Sequence, residues 1–408
     1  MLQKKADSWF QLNVMFNSDK ISNCKFAQLH ISINKALGSI SEYDIVISRN
    51  FSGLSAKIAD IGLAGKKVCI ICDANIKNFY IHEVKKSLSG ASCKVYTHII
   101  QPGEKNKIFA SVEKIYKTLV YNNFERSDFI AALGGGVTGD ISGFAAATYM
   151  RGIRFIQLPT TLLSMVDSSI GGKTGVDFLS FKNLIGAFHM PALVYTNIET
   201  LNTLDRRNFL SGMGEVIKHA LIKSNRYYDF IENNVDNIIK KDFETLLNLV
   251  YISNTIKKSI VEKDPDEKSC RAFLNLGHTI GHALERESVI TASDETALLH
   301  GECVGLGCIS ALYLSNLYSL RLNENSHSRH LLDIARLKRI LESFFLPIKF
   351  KGIDINDILT SCLKDKKNSE GRVGFVLLKN IGSPFLCHDI SYDEMKGAIE
   401  TIYDYNEK

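Results

Sequence analysis

The chain has no run of about 18 uninterrupted apolar residues, the length a bilayer-spanning helix requires, so no membrane segment is expected. It also lacks a strong charge of either sign. Against 49 Lys and Arg stand 44 Asp and Glu, a formal net charge of +5. That balance is too small and too dispersed to argue for nucleic acid, and it serves an anionic small substrate as well. Lys4 and Lys5 are followed by no apolar stretch, so no secretory signal is expected. There is no internal repeat and no low-complexity tract. The nine cysteines are scattered and odd in number, which fits a reducing, cytoplasmic compartment better than a disulfide framework. Cys69 and Cys72 form a C-x-x-C, but inside Val68-Cys69-Ile70-Ile71-Cys72, which reads as a buried strand. What remains is an ordinary globular composition, 45% hydrophobic and 23% charged over 408 residues. Such a length holds roughly two to three domains.

Short apolar runs at residues 43–48, 67–72, 93–99, 128–133, 154–158 and 192–196 read as strands. Most are separated by stretches long enough for a crossover helix, such as 107–122, so a largely parallel sheet is expected. Beyond about Leu204 the texture changes to 3.6-period segments at 208–223, 242–261, 278–287, 301–318 and 330–344. The expected architecture is an α/β nucleotide-binding domain over 25–203 followed by an all-helical metal-binding domain over 204–408. Residues 1–24 read as an extension, and the polar segments 288–299 and 323–328 as surface loops.

The stretch Leu133-Gly134-Gly135-Gly136-Val137-Thr138-Gly139-Asp140 follows one strand candidate and precedes a helical run from Ile141 to Tyr149. A glycine-rich turn there lets backbone N–H groups approach an anion at the positive end of a helix dipole. The dinucleotide fingerprint also wants an acid about 20 residues further on for the ribose. Arg154-Phe155-Ile156-Gln157-Leu158-Pro159 has none. A nucleotide is expected, but not in the ordinary Rossmann arrangement.

The helical half holds the metal candidates. Glu215 lies in an amphipathic segment, His278 and His282 stand four apart on one helix face, and His300 opens another helix. Two imidazoles and one carboxylate with an open fourth position is the composition of a catalytic zinc site. The zincin pattern H-E-x-x-H is not met, because Thr279, Ile280 and Gly281 intervene. Taken singly, each histidine is better explained as a cap or a core residue; the combination, with its adjoining glycines, favours a site. A second group consists of charged or amide side chains that interrupt apolar or glycine-rich runs: Asp167, Lys173, Lys182, Asn183, Lys218, Lys257, Arg271 and Asn275. Donors of this kind suit a substrate carrying phosphate and carboxylate.

With these residues assembled, the chain resembles the 3-dehydroquinate synthase family of sugar-phosphate cyclases. The strings that carry the resemblance are GGGVTGD, YMRG, QLPTTLLSMVDSSIGGKTGV, KNLIGAFHMP, GEVIKHALI, RAFLNLGHTIGHALE, LHGECV and the late DKK. It implies an NAD- and zinc-dependent (or cobalt-dependent) conversion of 3-deoxy-D-arabino-heptulosonate 7-phosphate to 3-dehydroquinate in the shikimate pathway. It implies Glu215, His278 and His300 as metal ligands, with His282 reserved for substrate. Asp73 and Asn75 would take the adenosine ribose, which accounts for the missing downstream acid. Glu104, Lys107, Gly135, Gly136, Val137, Asp140, Thr160, Thr161, Lys173, Lys182, Thr200 and Thr203 would complete the NAD surface. Substrate would meet Asp167, Lys173, Asn183, Lys218, Lys257, Arg271, Asn275, His282 and Lys367 (or Lys366). Arg151 would reach the neighbouring subunit's site, so a homodimer is expected, with no membrane and no nucleic acid as partners. The family's pattern is broken by a longer 288–299 loop, by the extension, and by Pro265 where an acid is expected beside Asp264.

Three other readings compete. Another cyclase of the superfamily would take a different sugar phosphate, and Asn275, Arg271, His282 and the lysine pair favour the acid phosphate. A metal-dependent polyol dehydrogenase would accumulate NADH and has no need of so many anion donors. A nucleotide-binding protein without catalysis is disfavoured by the intact Glu215, His278 and His300.

Overall fold

The computed structural model describes residues 26–34, 40–179, 181–292, 296–322, 331–364 and 373–405. The extension, the 323–328 segment and Lys366 and Lys367 lie outside them. The chain divides into two compact units. One holds the described residues up to Asp205 together with Lys241–Pro265; the other holds Arg206–Lys240 and the described residues from Asp266 onward.

The first unit is built on a seven-stranded sheet. Its strands are β1 (Phe26–Asn34), β2 (Ile40–Ser48), β3 (Lys67–Asp73), β4 (Lys94–Ile100), β5 (Phe129–Gly134), β6 (Arg154–Pro159) and β9 (Leu193–Asn197), in the order β1-β2-β9-β6-β5-β3-β4. All neighbours pair in parallel except β1 and β2. Each of the six strand candidates in the sequence is present. Helices α1 (Leu54–Asp60), α2 (Lys77–Gly90), α3 (Phe109–Tyr121) and α4 (Gly136–Thr148) cover the sheet.

Strand β3 shows how the sheet's period of two builds two cores. Val68, Ile70 and Cys72 pack with Leu54, Ile58, Val84 and Leu88 of α1 and α2. Cys69 and Ile71 pack with Val112, Ile115, Ile141 and Phe144 of α3 and α4. The two cysteines of the C-x-x-C therefore face opposite layers and cannot share a ligand. Burial pushes both thiols up to about 12, so they are inert core residues.

A separate antiparallel hairpin, β7 (Lys173–Phe178) and β8 (Phe181–Phe188), joins β6 to β9. The remaining α-helices of the described residues are α5 (Arg206–Lys223), α6 (Asn225–Asn233), α7 (Val235–Ile239), α8 (Phe243–Lys263), α9 (His278–Thr291), α10 (His300–Leu322), α11 (Ile334–Ser343), α12 (Ile355–Lys364) and α13 (Tyr392–Glu400). Helix α8 groups with the sheet: Ser32 of β1 donates its backbone N–H to Glu262 Oε1 at 2.9 Å. The second unit is helical but not wholly so, since β10 (Phe375–Leu378) and β11 (Pro384–Cys387) form a small hairpin that the helical periodicity did not announce. Part of the segment read as a surface loop is helix, because α9 runs on to Thr291. Helix α10 is long and apolar enough to cross a membrane by length and composition alone, yet 67% of its apolar window is buried within the protein. It is a core helix.

Candidate functional site

In the first unit the candidate nucleotide residues follow the carboxyl ends of parallel strands β3, β4, β5, β6 and β9. The chain runs outward from β3 to β4 and then crosses back to β5 on the other side of β3. That reversal makes the β3–β5 edge the crevice where open α/β sheets bind ligands. Asp73 ends β3, and Asn75 donates its backbone N–H to Asp73 Oδ1 at 2.7 Å, closing a tight turn. After β5 the helix starts at Gly136, five residues earlier than the sequence pattern indicated, so the glycine turn is itself the first helical turn. Its N-cap is Gly135, which supplies no side chain to occupy the first N–H groups. The glycines answer to crowding and not to unusual dihedrals. A Cβ on Gly134 would sit 2.4 Å from Thr138 Oγ1, and one on Gly139 would sit 2.7 Å from Gln157 Oε1.

Lys107, on the loop after β4, is buried with its Nζ 2.6 Å from Asp140 Oδ2 and donating to Asn183 Oδ1. Burial pushes the Asp140 carboxyl up to about 6, although Lys107 pulls the other way. Burial also works against the Lys107 charge, but Asp140 and Glu104 outweigh it and hold that ammonium above its ordinary pKa. Thr160 N–H donates to Gly134 O at 3.0 Å, Thr161 pairs with Ser164, and Thr203 bonds Tyr80 OH. Thr200 donates to Asn197 O at 2.7 Å. Lys173 and Lys182 are exposed along β7 and β8. Lys257, carried by α8, donates to the backbone oxygen of Asp167 at 2.7 Å and to its carboxylate. Met150, Arg151 and Gly152 stand consecutively at φ of 50°, 65° and 118°.

In the second unit, α5 carries Glu215 and Lys218, α9 carries His278 and His282, and α10 opens with His300. Glycines bring these helices together. A Cβ on Gly301 would lie 1.7 Å from Ser211 O, and one on Gly214 would lie 2.1 Å from Gly301 O. A Cβ on Gly307 would lie 1.9 Å from Gly277 O. Each of the three candidate ligands is thus next in sequence to a glycine at a backbone-to-backbone contact. Arg207 adds a clamp, donating to both oxygens of Glu302 at 2.9 and 2.8 Å, while Glu302 accepts the Leu299 N–H. Neither Arg207 nor Glu302 stood out in the sequence, where they look like ordinary helix charges.

Glu215 is fully buried and forms an ion pair with buried Lys218 through Oε2. Its Oε1 lies 3.3 Å from His278 Nε2 and 3.4 Å from His300 Nε2, yet accepts no well-aligned hydrogen bond. Both imidazole Nε2 atoms therefore crowd one carboxylate oxygen. Ligands about 2.05 Å from a tetrahedral ion stand about 3.3 Å apart, and both spacings to Glu215 Oε1 have that length. His282 stands close enough to share an ion, since ligand nitrogens of His278, His282 and His300 all lie within 4.8 Å of one another and its ring centre is 4.9 Å from that of His278. Arg271 and Asn275 lie on the short helix Cys270–Asn275 that leads into His278; Arg271 is buried and Asn275 exposed.

Burial works against a charge on His300, but the carboxylates of Glu215 and Glu285 push its pKa up to about 10. Burial alone would raise the Glu215 carboxyl; Lys218 and the imidazoles hold it well below the usual carboxylate range. A cation bound here would compete with the proton on His300, so apparent affinity is expected to rise with pH between about pH 6 and 8. Chelator-competition titrations across that range check this, and a flat profile contradicts it.

A parallel sheet with a glycine turn at its carboxyl edge, and a helical unit that gathers imidazoles around a buried carboxylate, are the parts of an α/β nucleotide- and metal-dependent enzyme. Comparison with known proteins agrees. The model of the 3-dehydroquinate synthase N-terminal region matches residues 97–211, and that of the C-terminal region matches 212–368. The 3-dehydroquinate synthase of Ruminiclostridium cellulolyticum is 41% identical over 345 residues, covering 85% of this chain and 92% of that protein. That of Acetivibrio thermocellus is 41% identical over 361 residues, covering 88% and 96%. Among solved structures, 2-epi-5-epi-valiolone synthase from Streptomyces hygroscopicus with NAD+ and Zn2+ bound superposes with a TM-score of 0.79 at 24% identity, covering 90% of this chain and 98% of that one. The chain belongs to the 3-dehydroquinate synthase family.

Proposed function

We propose that this enzyme converts 3-deoxy-D-arabino-heptulosonate 7-phosphate to 3-dehydroquinate and inorganic phosphate, with NAD and zinc (or cobalt) as cofactors. The observation that carries the reading is the Glu215–His278–His300 donor set in a chain 41% identical to named synthases over nearly their full length. The nucleotide role is assigned to residues 25–203 and the metal role to 204–408. Asp73 and Asn75 would hold the adenosine ribose. The N–H groups of Gly135, Gly136 and Val137 would hold the pyrophosphate, with the Lys107–Asp140 pair fixing the loop beside them.

When bound, zinc supplies a Lewis acid for a substrate hydroxyl, and NAD a reversible hydride acceptor, so no net NADH accumulates. The chain's own side chains bind and orient. Lys173, Arg271, Asn275 and His282 are proposed to hold the phosphate and carboxylate and to stabilise charge as phosphate departs. Asp167 keeps the Lys257 ammonium at a fixed point. The leaving phosphate takes the proton from the neighbouring carbon, so no dedicated protein base is required. Ring closure then depends on positioning. Lys218 has a second duty, since it neutralises the buried Glu215.

We further propose a cytoplasmic homodimer in which Arg151 serves the neighbouring subunit. Arg151 is exposed within a turn of three successive positive-φ residues, and the eight described cysteines are free and buried. Sedimentation at twice 45.6 kDa is the expected result, and a monomer sinks the dimer.

The reaction is tested by phosphate release from the heptulosonate phosphate, with NAD and zinc supplied and absorbance at 340 nm followed in parallel. Phosphate without accumulating NADH is expected. NADH formed from simple polyols without phosphate release would establish a dehydrogenase instead.

A further inference from the structure

We infer that Glu285 is the positioning residue for His300, holding the imidazole through Nδ1 so that Nε2 faces Glu215 and His278. The inference rests on the metal reading of that donor set.

The two imidazoles are held differently. His278 Nδ1 lies 3.1 Å from Leu276 O, a neutral acceptor two residues back in the chain. His300 Nδ1 lies 3.0 Å from Glu285 Oε2, a carboxylate on another helix. Both partners only accept, so each Nδ1 carries the proton and each Nε2 is left to face Glu215 Oε1. A backbone carbonyl fixes orientation alone. A carboxylate also makes the imidazole a stronger donor, and its charge is poorly screened here because the Glu285 side chain is 13% exposed.

The placement is built into α9. His278, His282 and Glu285 fall at i, i+4 and i+7, one face of the helix. That face supplies a ligand, a substrate-directed imidazole and the group that orients the ligand from α10. The α9–α10 spacing is fixed by backbone contacts at two levels: a Cβ on Gly281 would lie 2.9 Å from Cys303 O, besides the Gly277–Gly307 contact. Glu285 therefore reaches His300 from a rigid base.

The test is zinc affinity by chelator competition, with the visible absorption of the cobalt-loaded protein, for wild type, Glu285→Gln and Glu285→Ala. Glu285→Gln is expected to bind zinc about 10–100-fold more weakly, with a changed cobalt band. In Glu285→Ala, added acetate is expected to recover part of the lost affinity, which a general loss of packing would not allow. Unchanged zinc affinity and an unchanged cobalt spectrum in Glu285→Gln would overturn the positioning role. Failure of the acetate rescue, with affinity lost only in proportion to unfolded protein, would overturn it too. Absence of stoichiometric zinc or cobalt binding in the wild type would instead remove the metal reading beneath it.

Discussion

Replacing Gly301 with alanine is expected to abolish tight metal binding and to destabilise the protein by about 3 kcal/mol or more, at the upper end of overpacking costs. The added Cβ would stand 1.7 Å from Ser211 O and 2.6 Å from its carbonyl carbon. No rotamer change relieves a clash with backbone, so α5 and α10 must separate. Helix propensity acts the other way, favouring alanine by about 1 kcal/mol, and is outweighed. Gly301 adjoins His300, and Ser211 lies one turn before Glu215, so separation opens the 3.4 Å spacing between those two ligands. A metal constellation tolerates about 0.5 Å of misplacement. Gly305→Ala is the control on the same helix. Its Cβ meets only the two Leu341 methyls, Cδ2 at 3.1 Å and Cδ1 at 3.8 Å, the far end of a flexible side chain. Thermal unfolding and zinc content of both variants decide the matter; equal behaviour would mean that the glycine contacts do not set the ligand spacing.

The same contacts mark what local pattern reveals and what it hides. Glycines flanking Glu215, His278 and His300 are visible in the sequence as permission for close approach, but only the fold shows that the approaching group is another helix. Strand β1 carries a legible signal outside the six strand candidates: Ala27, Leu29, Ile31 and Ile33 alternate with exposed or part-exposed positions, a plain period of two. The β7–β8 hairpin gave no such signal, because Phe178, Phe181, Leu184 and Phe188 are all exposed and no one-sided apolar pattern exists. The Lys257–Asp167 pair joins residues 90 apart through the return of α8 to the sheet unit, a long-range event that helical periodicity cannot contain. Glu285 was hidden in a different way. It reads as one more helix charge, and only its seven-residue spacing from His278 could have singled it out. The candidate ligands and the glycine turn stand out in the sequence because their chemistry restricts residue type; a group that orients a ligand can be any acceptor within reach.

Glu215→Gln carries the second large expected effect, and its pH dependence separates two explanations of that effect. Glu215 and Lys218 are 0% and 1% exposed, so removing one charge leaves the other buried and unpaired. Breaking such a pair costs about 3–5 kcal/mol, whereas its removal as a whole can be neutral. Glu215→Gln is therefore expected to unfold well before wild type in the presence of chelator, and Glu215→Gln with Lys218→Met to recover much of the difference. The sign of the pH effect follows from the depressed Glu215 pKa. A carboxyl whose folded pKa lies below its unfolded value of about 4.3 adds stability that is complete above that value and fades as pH falls towards the folded one. The gap between wild type and Glu215→Gln should then be constant from neutral pH down to about 5 and shrink below it. Unfolding by denaturant at several pH values measures this directly. A gap independent of pH into the acid range would show that the glutamine fails through packing, and that the ionised carboxylate contributes nothing to the fold before it meets a metal.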